Sequence, residues 1–450
     1  MGRLLRPALL ATCALALAAA LTLLAAITFG GTKGIETSEG TGRVVNGGGA
    51  PAALGPGAIA DPATFIPTLQ NRLRRLPDDH RGWSTLVLAY VEQGRITADP
   101  TFYSKADKAL SRATRLAPED SVVLTATAAL DNARHDFREA LESADRALEA
   151  TPRSAGASAY RADALTELGR YDEARKAALL ADNMQPGPST FARLSYAAEL
   201  RGDLKEATRL MRLSRDAAGT SAASFAFAAY HLGELARIQG DLDGAGRFYD
   251  AALDADKTYS PAYAGRARLA VAGGDLPAAE RDYAEVVRRL PLPEYLVEFG
   301  ELYLGTDRPD MAEQQFSVAS ATAALAAANG VKVDLETAIF EADHGNPAAA
   351  LAAAQTEWDY RQSIFSADAL AWALHVNGRD REALRYAKLA TRLGTQDARM
   401  IFHRGAIEAA LGMDAPARTH LRAAQVIDGG AAPWREGLTR DLLRSLETSP

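Results

Sequence analysis

A motif of two helices around a glycine turn recurs along most of the 450 residues. It is clearest in LTELGRYDEARKAALLADNMQP, Leu165 to Pro186, where a helix end, a Gly-Arg-Tyr-Asp turn and an alanine-rich helix are closed by a proline. The closing prolines Pro118, Pro152 and Pro186 stand 34 residues apart. Because one helix pair cannot bury its apolar face alone, a fixed period of this length predicts that neighbouring pairs stack into a continuous array.

Small residues recur on one face of the second helix in each unit, at steps of four and three residues. The leading residue of this series is alanine in nine units: Ala106, Ala140, Ala174, Ala207, Ala245, Ala279, Ala312, Ala383 and Ala417. Small residues also stand in the first helix of some units, at Gly233, Gly300 and Gly405. Antiparallel helices joined by a short turn interdigitate only where one lacks bulk, so we predict that these positions form the helix crossings.

The first unit carries Trp83, Leu86 and Tyr90 at the spacing found in tetratricopeptide repeats, and the chain resembles that family over about ten units, Arg81 to Asp428. The resemblance implies an all-α fold, an α-solenoid of antiparallel helix pairs. It also implies a right-handed superhelix whose first helices form a concave wall that usually binds peptides or helices.

The repeat departs from its period at three places, where the register of the array is expected to slip or bend. Extra residues stand around Ile96 to Phe102 and between the fourth and fifth units. The eighth unit, Val333 to Gln362, lacks the bulky residue of its second helix. Turn glycines, including Gly94 and Gly345, are expected to adopt the left-handed conformation at helix ends.

The sequence divides into four regions: 1–29, a signal peptide or transmembrane anchor; 30–60, a glycine-rich flexible linker; 61–432, the repeat superhelix; and 433–450, a capping helix and tail. In the last region Trp434, Leu438, Leu442 and Leu446 stand at four-residue steps. This spacing predicts a helix that covers the final repeat. A docking helix is the alternative.

Arg3 and Arg6 precede an uncharged, mostly apolar run from Ala8 to Phe29, which as a helix spans about 33 Å, enough to cross a bilayer. We expect a single-pass cell-membrane protein with an extracytoplasmic carboxyl-terminal domain, because positive charges before the span stay in the cytoplasm. A cleaved signal, which makes the protein secreted, and a lipoprotein signal at Cys13 are the alternatives. The linker reaches roughly 30 Å as a flexible coil.

Charge and motif content exclude several classes of function. The formal net charge of −7 lacks the basic footprint that phosphate binding needs, so nucleic acid is not an expected partner. The single cysteine lies in the apolar run. The seven histidines show no paired ligand spacing and no nucleophile elbow is present, so we predict no catalytic residue, no metal and no cofactor.

Eight residues are predicted to line a peptide-binding groove, because they follow the core positions of the first helices by one residue. They are Asp163, Tyr196, Tyr230, Glu234, Glu301, Asp368, Trp372 and Phe402. Lysine and asparagine, with which some family members clamp a partner's terminal carboxylate, are absent from these positions. An aromatic and acidic wall suits a protein or peptide segment, helical or extended, with apolar anchors and basic flanks. Alternatively, the aromatic residues are inter-repeat core and the acids keep the protein soluble.

These observations favour a non-enzymatic, membrane-tethered or secreted scaffold for protein–protein interaction, and the alanine- and arginine-rich composition is typical of a high-GC bacterium. One alternative is a chaperone-like holder of exported or cofactor-bearing client proteins. The stretch Leu69 to Arg95 resembles the entry to the repeat domain of membrane-tethered cytochrome c biogenesis proteins, which hold apocytochrome helices. A helical glycan-active enzyme, with two carboxylates in the groove, is the other alternative.

Overall fold

The computed structural model describes residues 62–448, so the apolar run and the linker predicted at 1–29 and 30–60 lie outside the described residues. Within 62–448 the regular secondary structure is helical throughout. A single helix, α1 (Pro62–Arg75), precedes ten antiparallel helix pairs, and α22 (Pro433–Thr448) follows them. The predicted all-α repeat array is therefore confirmed for this part of the chain.

Each pair consists of a helix A and a helix B. The A helices are α2 His80–Thr97, α4 Ser121–Ala133, α6 Ala155–Glu167, α8 Pro188–Glu199, α10 Ala222–Ile238, α12 Ser260–Ala272, α14 Pro293–Gly305, α16 Asp334–His344, α18 Ile364–Val376 and α20 Ala398–Ala410. The B helices are α3 Thr101–Leu116, α5 Phe137–Ala150, α7 Tyr171–Met184, α9 Leu204–Asp216, α11 Leu242–Ala255, α13 Leu276–Arg289, α15 Pro309–Ala328, α17 Pro347–Tyr360, α19 Asp380–Ala390 and α21 Asp414–Asp428.

A Gly-Asp pair makes several of the turns between helices A and B. Gly202, Gly240 and Gly274 adopt φ values of 71°, 81° and 77°, which a residue with a side chain rarely adopts. The aspartate that follows accepts a hydrogen bond from the third backbone N–H of helix B, as Asp241 does from Gly244. The glycine thus ends one helix and the aspartate begins the next.

The predicted crossings are buried, and glycine in helix A makes room for a bulky residue of helix B. A Cβ atom at Gly233 would lie 2.3 Å from the ring of Tyr249, and one at Gly300 would lie 2.3 Å from the ring of Phe316. The leading alanines of the B helices are fully or almost fully buried. Each pair therefore packs as the small-residue pattern predicts.

The departures from the period lengthen helices and leave the pairing intact. The extra residues of the first pair extend α2, so Gly94 lies inside that helix and the left-handed residue at its end is Ala98, with φ 51°. The eighth pair, α16 and α17, is present, with Gly345 at φ −128°, so the expectation of a left-handed glycine was wrong at Gly94 and Gly345. Where other B helices end their small-residue series, α17 carries the buried Glu357.

Loops late in the chain contact turns early in the chain. The backbone N–H of Ile364 donates to the hydroxyl of Tyr171 at 2.8 Å, and Arg361 forms ion pairs with both Glu167 and Glu357. A Cβ at Gly169 would lie 2.4 Å from the carbonyl oxygen of Gln362, which shows how closely the two backbones approach. We call Glu167, Tyr171, Glu357, Arg361 and Ile364 the clasp.

Successive A helices pack on one another, as α2 on α4 and α16 on α18, more extensively than successive B helices do. The A helices therefore lie on the inner, concave side of the array. Among residues 62–448, none of the helices combines the length and apolarity needed to span a bilayer.

Candidate functional site

The helix that follows the tenth pair, α22, lies against A helices. It turns back after α21 through Gly429 and Gly430, which both have positive φ, and packs on α14, α20 and α21. At Gly305, the end of α14, a Cβ would lie 2.9 Å from the backbone nitrogen of Trp434, so only glycine permits this approach. Helix α22 thus packs on the final repeat and also lies on the concave side of earlier pairs.

Three of the predicted groove residues lie in the core beside this covered region. Trp372, Phe402 and Asp368 are 7%, 3% and 1% exposed. Trp372 and Phe402 belong to one apolar cluster with Leu446 of α22. The indole Nε1 of Trp372 donates to Asp343 at 2.6 Å, and Asp368 pairs with His403 at 2.9 Å. These side chains offer little surface to a second molecule while α22 is in place.

Glu301 lies in the same region, in a cluster with Asp343 and His344 whose potential ligand atoms are all within 4.8 Å of one another. The imidazole Nε2 of His344 is 3.1 Å from the carboxylate of Glu301, and Asp343 accepts from Trp372. The guanidinium of Arg435, in α22, forms an ion pair with Asp428 at 2.9 Å. Although burial acts to lower it, the negative charge of Glu301 contributes with that of Asp428 to raise the pKa of Arg435. Because the members of this cluster already have partners and the cationic Arg435 is near, we interpret the cluster as part of the surface on which α22 packs, and not as a metal site.

Asp163 and Tyr196 lie on the part of the concave wall that α22 does not cover. Both line a cavity of about 170 Å³ between α6, α7 and α8, together with Glu167 and Arg193. Asp163 accepts two hydrogen bonds from Arg193, at 2.8 and 2.7 Å. Tyr196 is 38% exposed, the most exposed aromatic residue among the eight predicted.

Tyr230 and Glu234, the remaining predicted residues, are half-buried in the fifth pair. Tyr230 packs against Tyr249 and Tyr259, with ring centroids 6.0 and 5.9 Å apart. Glu234 accepts from the hydroxyl of Tyr249 at 2.6 Å and from Arg268 at 3.1 Å. Although burial acts to raise it, the guanidinium groups of Arg268 and Arg237 hold the pKa of Glu234 at about 2.

Glu199, which the sequence patterns did not single out, ends α8 one turn after Tyr196. Burial and the negative charges of Glu234 and Asp397 raise the pKa of Glu199 to about 7. Within the described residues its carboxylate forms no ion pair. We call Asp163, Glu167 and Tyr196, which line the cavity, together with Glu199, whose charge acts on Tyr196 from outside the cavity lining, the acidic pocket.

The arginines that pair with the predicted acids were also missed. Arg193 follows Asp163 by 30 residues and Arg268 follows Glu234 by 34, so each partner stands on the next A helix. A search for opposite charges one repeat apart finds both pairs. No such search finds Glu199, because its surroundings include Asp397 from the far end of the array.

No protein-family model matches the sequence, and no curated protein matches it. Solved structures with a similar arrangement of helices include a tetratricopeptide repeat protein from Parabacteroides merdae, 20% identical with a TM-score of 0.33 over 58% of this chain and 99% of that one. The pilF protein of Pseudomonas aeruginosa is 19% identical, with a TM-score of 0.36 over 48% and 93% of the two chains. Human IFIT1, solved as a dimer with m7Gppp-AAAA, is 16% identical, with a TM-score of 0.45 over 75% and 78%.

These similarities concern the fold alone. The ten helix pairs, their Gly-Asp turns and their small-residue crossings define a tetratricopeptide-type helical repeat array.

Proposed function

We propose that this chain is a protein-interaction scaffold that binds a segment of another protein at the acidic pocket, through a lysine or arginine side chain placed beside an apolar one. The observation that carries the proposal is that Tyr196 stands 38% exposed next to the unpaired, half-buried carboxylate of Glu199.

An ammonium or guanidinium group at this place gives the carboxylate of Glu199 the ion-pair partner that it lacks among the described residues, where Arg237 acts on it only at longer range. Glu199 is already largely desolvated, so a cation that reaches it gains attraction at a small further cost of desolvation. The exposed ring of Tyr196 adds an apolar and cation-attracting face. The same negative charges disfavour a phosphate backbone, which supports a protein segment over nucleic acid as the ligand.

The membrane tether is part of this proposal and rests on residues 1–29 alone. An anchor in this run, followed by the glycine-rich linker, keeps the binding surface outside the cytoplasm and within roughly 30 Å of the membrane. Fractionation of cells that produce the full-length chain tests it: the chain should stay with membranes after a high-salt wash, and release into the medium contradicts an uncleaved anchor.

The binding proposal is tested with two labelled amphipathic peptides of equal length, one built from leucine and lysine and the other from leucine and glutamate. Fluorescence anisotropy with the full-length chain should show binding of the lysine peptide only, weakening with salt. Glu199→Gln and Tyr196→Ala should each weaken binding by about tenfold. Glu149→Gln, which removes an exposed carboxylate on helix B of the second pair, is the matched control.

Equal binding of the two peptides, or binding of the lysine peptide that neither pocket variant changes, contradicts the proposal. A photo-reactive phenylalanine at position 196 then finds the natural segment in cells. Photo-reactive phenylalanine in place of Leu180, which is exposed on a B helix, is the control. Proteins captured from position 196 and not from position 180 are specific to the concave side.

A further inference from the structure

Helix α22 makes, within one chain, the contacts expected of a partner helix. In its first turn, the ring centroid of Trp434 lies 4.7 Å from that of His344, and Arg435 forms an ion pair with Asp428 of α21. Its last turn buries Leu446 in the cluster that contains Trp372. The wall that the sequence predicts to bind an apolar segment with a basic flank is therefore occupied by such a segment.

Few of the contacts of α22 are deep. Among its residues up to Glu447, Thr439 and Leu446 are the buried ones, and Leu438, in the same four-residue series as Leu446, is 37% exposed. The helix is joined to α21 through Gly429 and Gly430, both at positive φ, and glycine restricts the direction of the chain less than any other residue. A helix held by one partly buried face and a two-glycine joint can detach without unfolding the ten pairs.

Other observations oppose a purely structural role. A helix that only caps the array needs to pack on α20 and α21, the two helices of the tenth pair. Helix α22 also reaches the ends of α14 and α16, which belong to the seventh and eighth pairs. Those contacts use Gly305 for close approach and the imidazole of His344 against the ring of Trp434, whereas Arg435 pairs with Asp428 at the end of α21. These contacts with the seventh and eighth pairs lie three and two repeats before the tenth pair, whose exposed face is the one that a cap covers.

We propose that the wall beneath α22, formed by Glu301, Asp343, His344, Trp372 and Phe402, is a second binding site, and that its external ligand is an amphipathic helix of another protein. This helix carries an aromatic residue followed by arginine, then apolar residues at four-residue steps. Helix α22 occupies the site intramolecularly, so the external helix binds when α22 leaves. The site is separate from the acidic pocket and does not depend on it.

The test uses a labelled peptide of residues 431–448 and the full-length chain. Trp434→Ala combined with Leu446→Ala loosens α22 and leaves the wall unchanged, so the peptide should bind this variant at least about tenfold more tightly than it binds the wild type. Arg440→Ala removes an exposed side chain that lies outside the apolar series of the same helix, and this variant should bind the peptide as the wild type does. Adding His344→Ala to the loosened variant should weaken peptide binding by about tenfold.

Equal affinity of the peptide for the wild type and for a folded, loosened variant overturns the proposal. So does formation of a dimer by exchange of α22 between two copies, detected by light scattering, because the ligand is then a second copy of this chain.

A second measurement covers the case in which the loosened variant does not fold. In the wild type, backbone amides of α22 should exchange with deuterium faster than those of α20, because α22 opens while the array stays folded. Exchange of both helices at the same slow rate shows that α22 does not detach, and the proposal fails.

Discussion

The indole ring of Trp434 lies against the imidazole of His344, with 4.7 Å between ring centroids, although the two residues belong to α22 and to helix A of the eighth pair. Helix α22 therefore runs across the concave side of the array instead of continuing the stack of helix pairs. The predicted anchors Trp372 and Phe402 lie in an apolar cluster with Leu446 of the same helix, whereas Tyr196, five pairs before Trp372, is exposed.

Trp372 and Tyr196 should therefore respond differently to truncation. Trp372→Ala removes a buried ring and leaves Asp343 without its donor, so it should lower the free energy of unfolding by about 3–5 kcal/mol. Tyr196→Ala, at an exposed position, should change it by about 0.5 kcal/mol or less. Urea denaturation followed by circular dichroism measures both, and equal losses contradict the assignment of Trp372 to the core.

Gly233→Ala tests the helix crossing. The added methyl meets the ring of Tyr249 at 2.3 Å, and the resulting strain should lower the free energy of unfolding by about 1–3 kcal/mol. Gly246→Ala is the matched control, because a Cβ there has its nearest contact at 3.6 Å and alanine favours the helix by up to about 1 kcal/mol. A neutral or stabilising effect at position 233 contradicts the close crossing.

Arg361→Met tests the clasp. The substitution keeps the length of the side chain and leaves the buried carboxylate of Glu357 and the partly exposed one of Glu167 without their cation, which should cost about 3–5 kcal/mol at pH 7. Burial already raises the pKa of both groups, so the loss should shrink at pH 5, where they take up protons more readily. Arg170→Met, which breaks an exposed pair with Glu173, should cost less than about 1 kcal/mol.

Glu199 predicts a pH dependence of stability with a definite sign. Its pKa is about 7 in the folded chain against an ordinary 4.5, so between these values the folded state binds more protons than the unfolded state. The contribution of Glu199 to stability therefore falls as pH rises from about 4.5 to 7. Glu199→Gln should be more stable than the wild type at pH 8, by at most about 3 kcal/mol, and this gain should vanish toward pH 4.5. A pH-independent difference, like that expected for Glu149→Gln, contradicts the unpaired state of Glu199.

The local parts of the fold could be predicted from the sequence, because they repeat. Alanine at the crossing, glycine at the turn and the 34-residue period each act between adjacent helices, and the structure has these pairs where the pattern places them. Gly94 and Gly345 were misassigned because helix length and local turn geometry, which the period does not specify, decide where a helix ends.

The contacts between late loops and early turns could not be predicted, because they join residues almost 200 positions apart. Tyr171 contacts Ile364, and Arg361 contacts Glu167, only because each helix pair is rotated slightly relative to the one before it. The total rotation over many pairs is not specified by any local sequence pattern. The same limit applies to the site. The sequence pattern assigns Trp372 and Glu301 to A helices, where the structure has them. It does not predict that α22 turns back and packs beside them.

The most direct measurement of the central claim is hydrogen–deuterium exchange of the full-length chain with and without the leucine–lysine peptide. The account predicts that the peptide protects α6, α8 and α10, the A helices around the acidic pocket, while the B helices of the same pairs and α22 exchange as before. Protection of α7, α9 and α11 with the A helices unchanged would place the binding surface on the convex side and contradict the account.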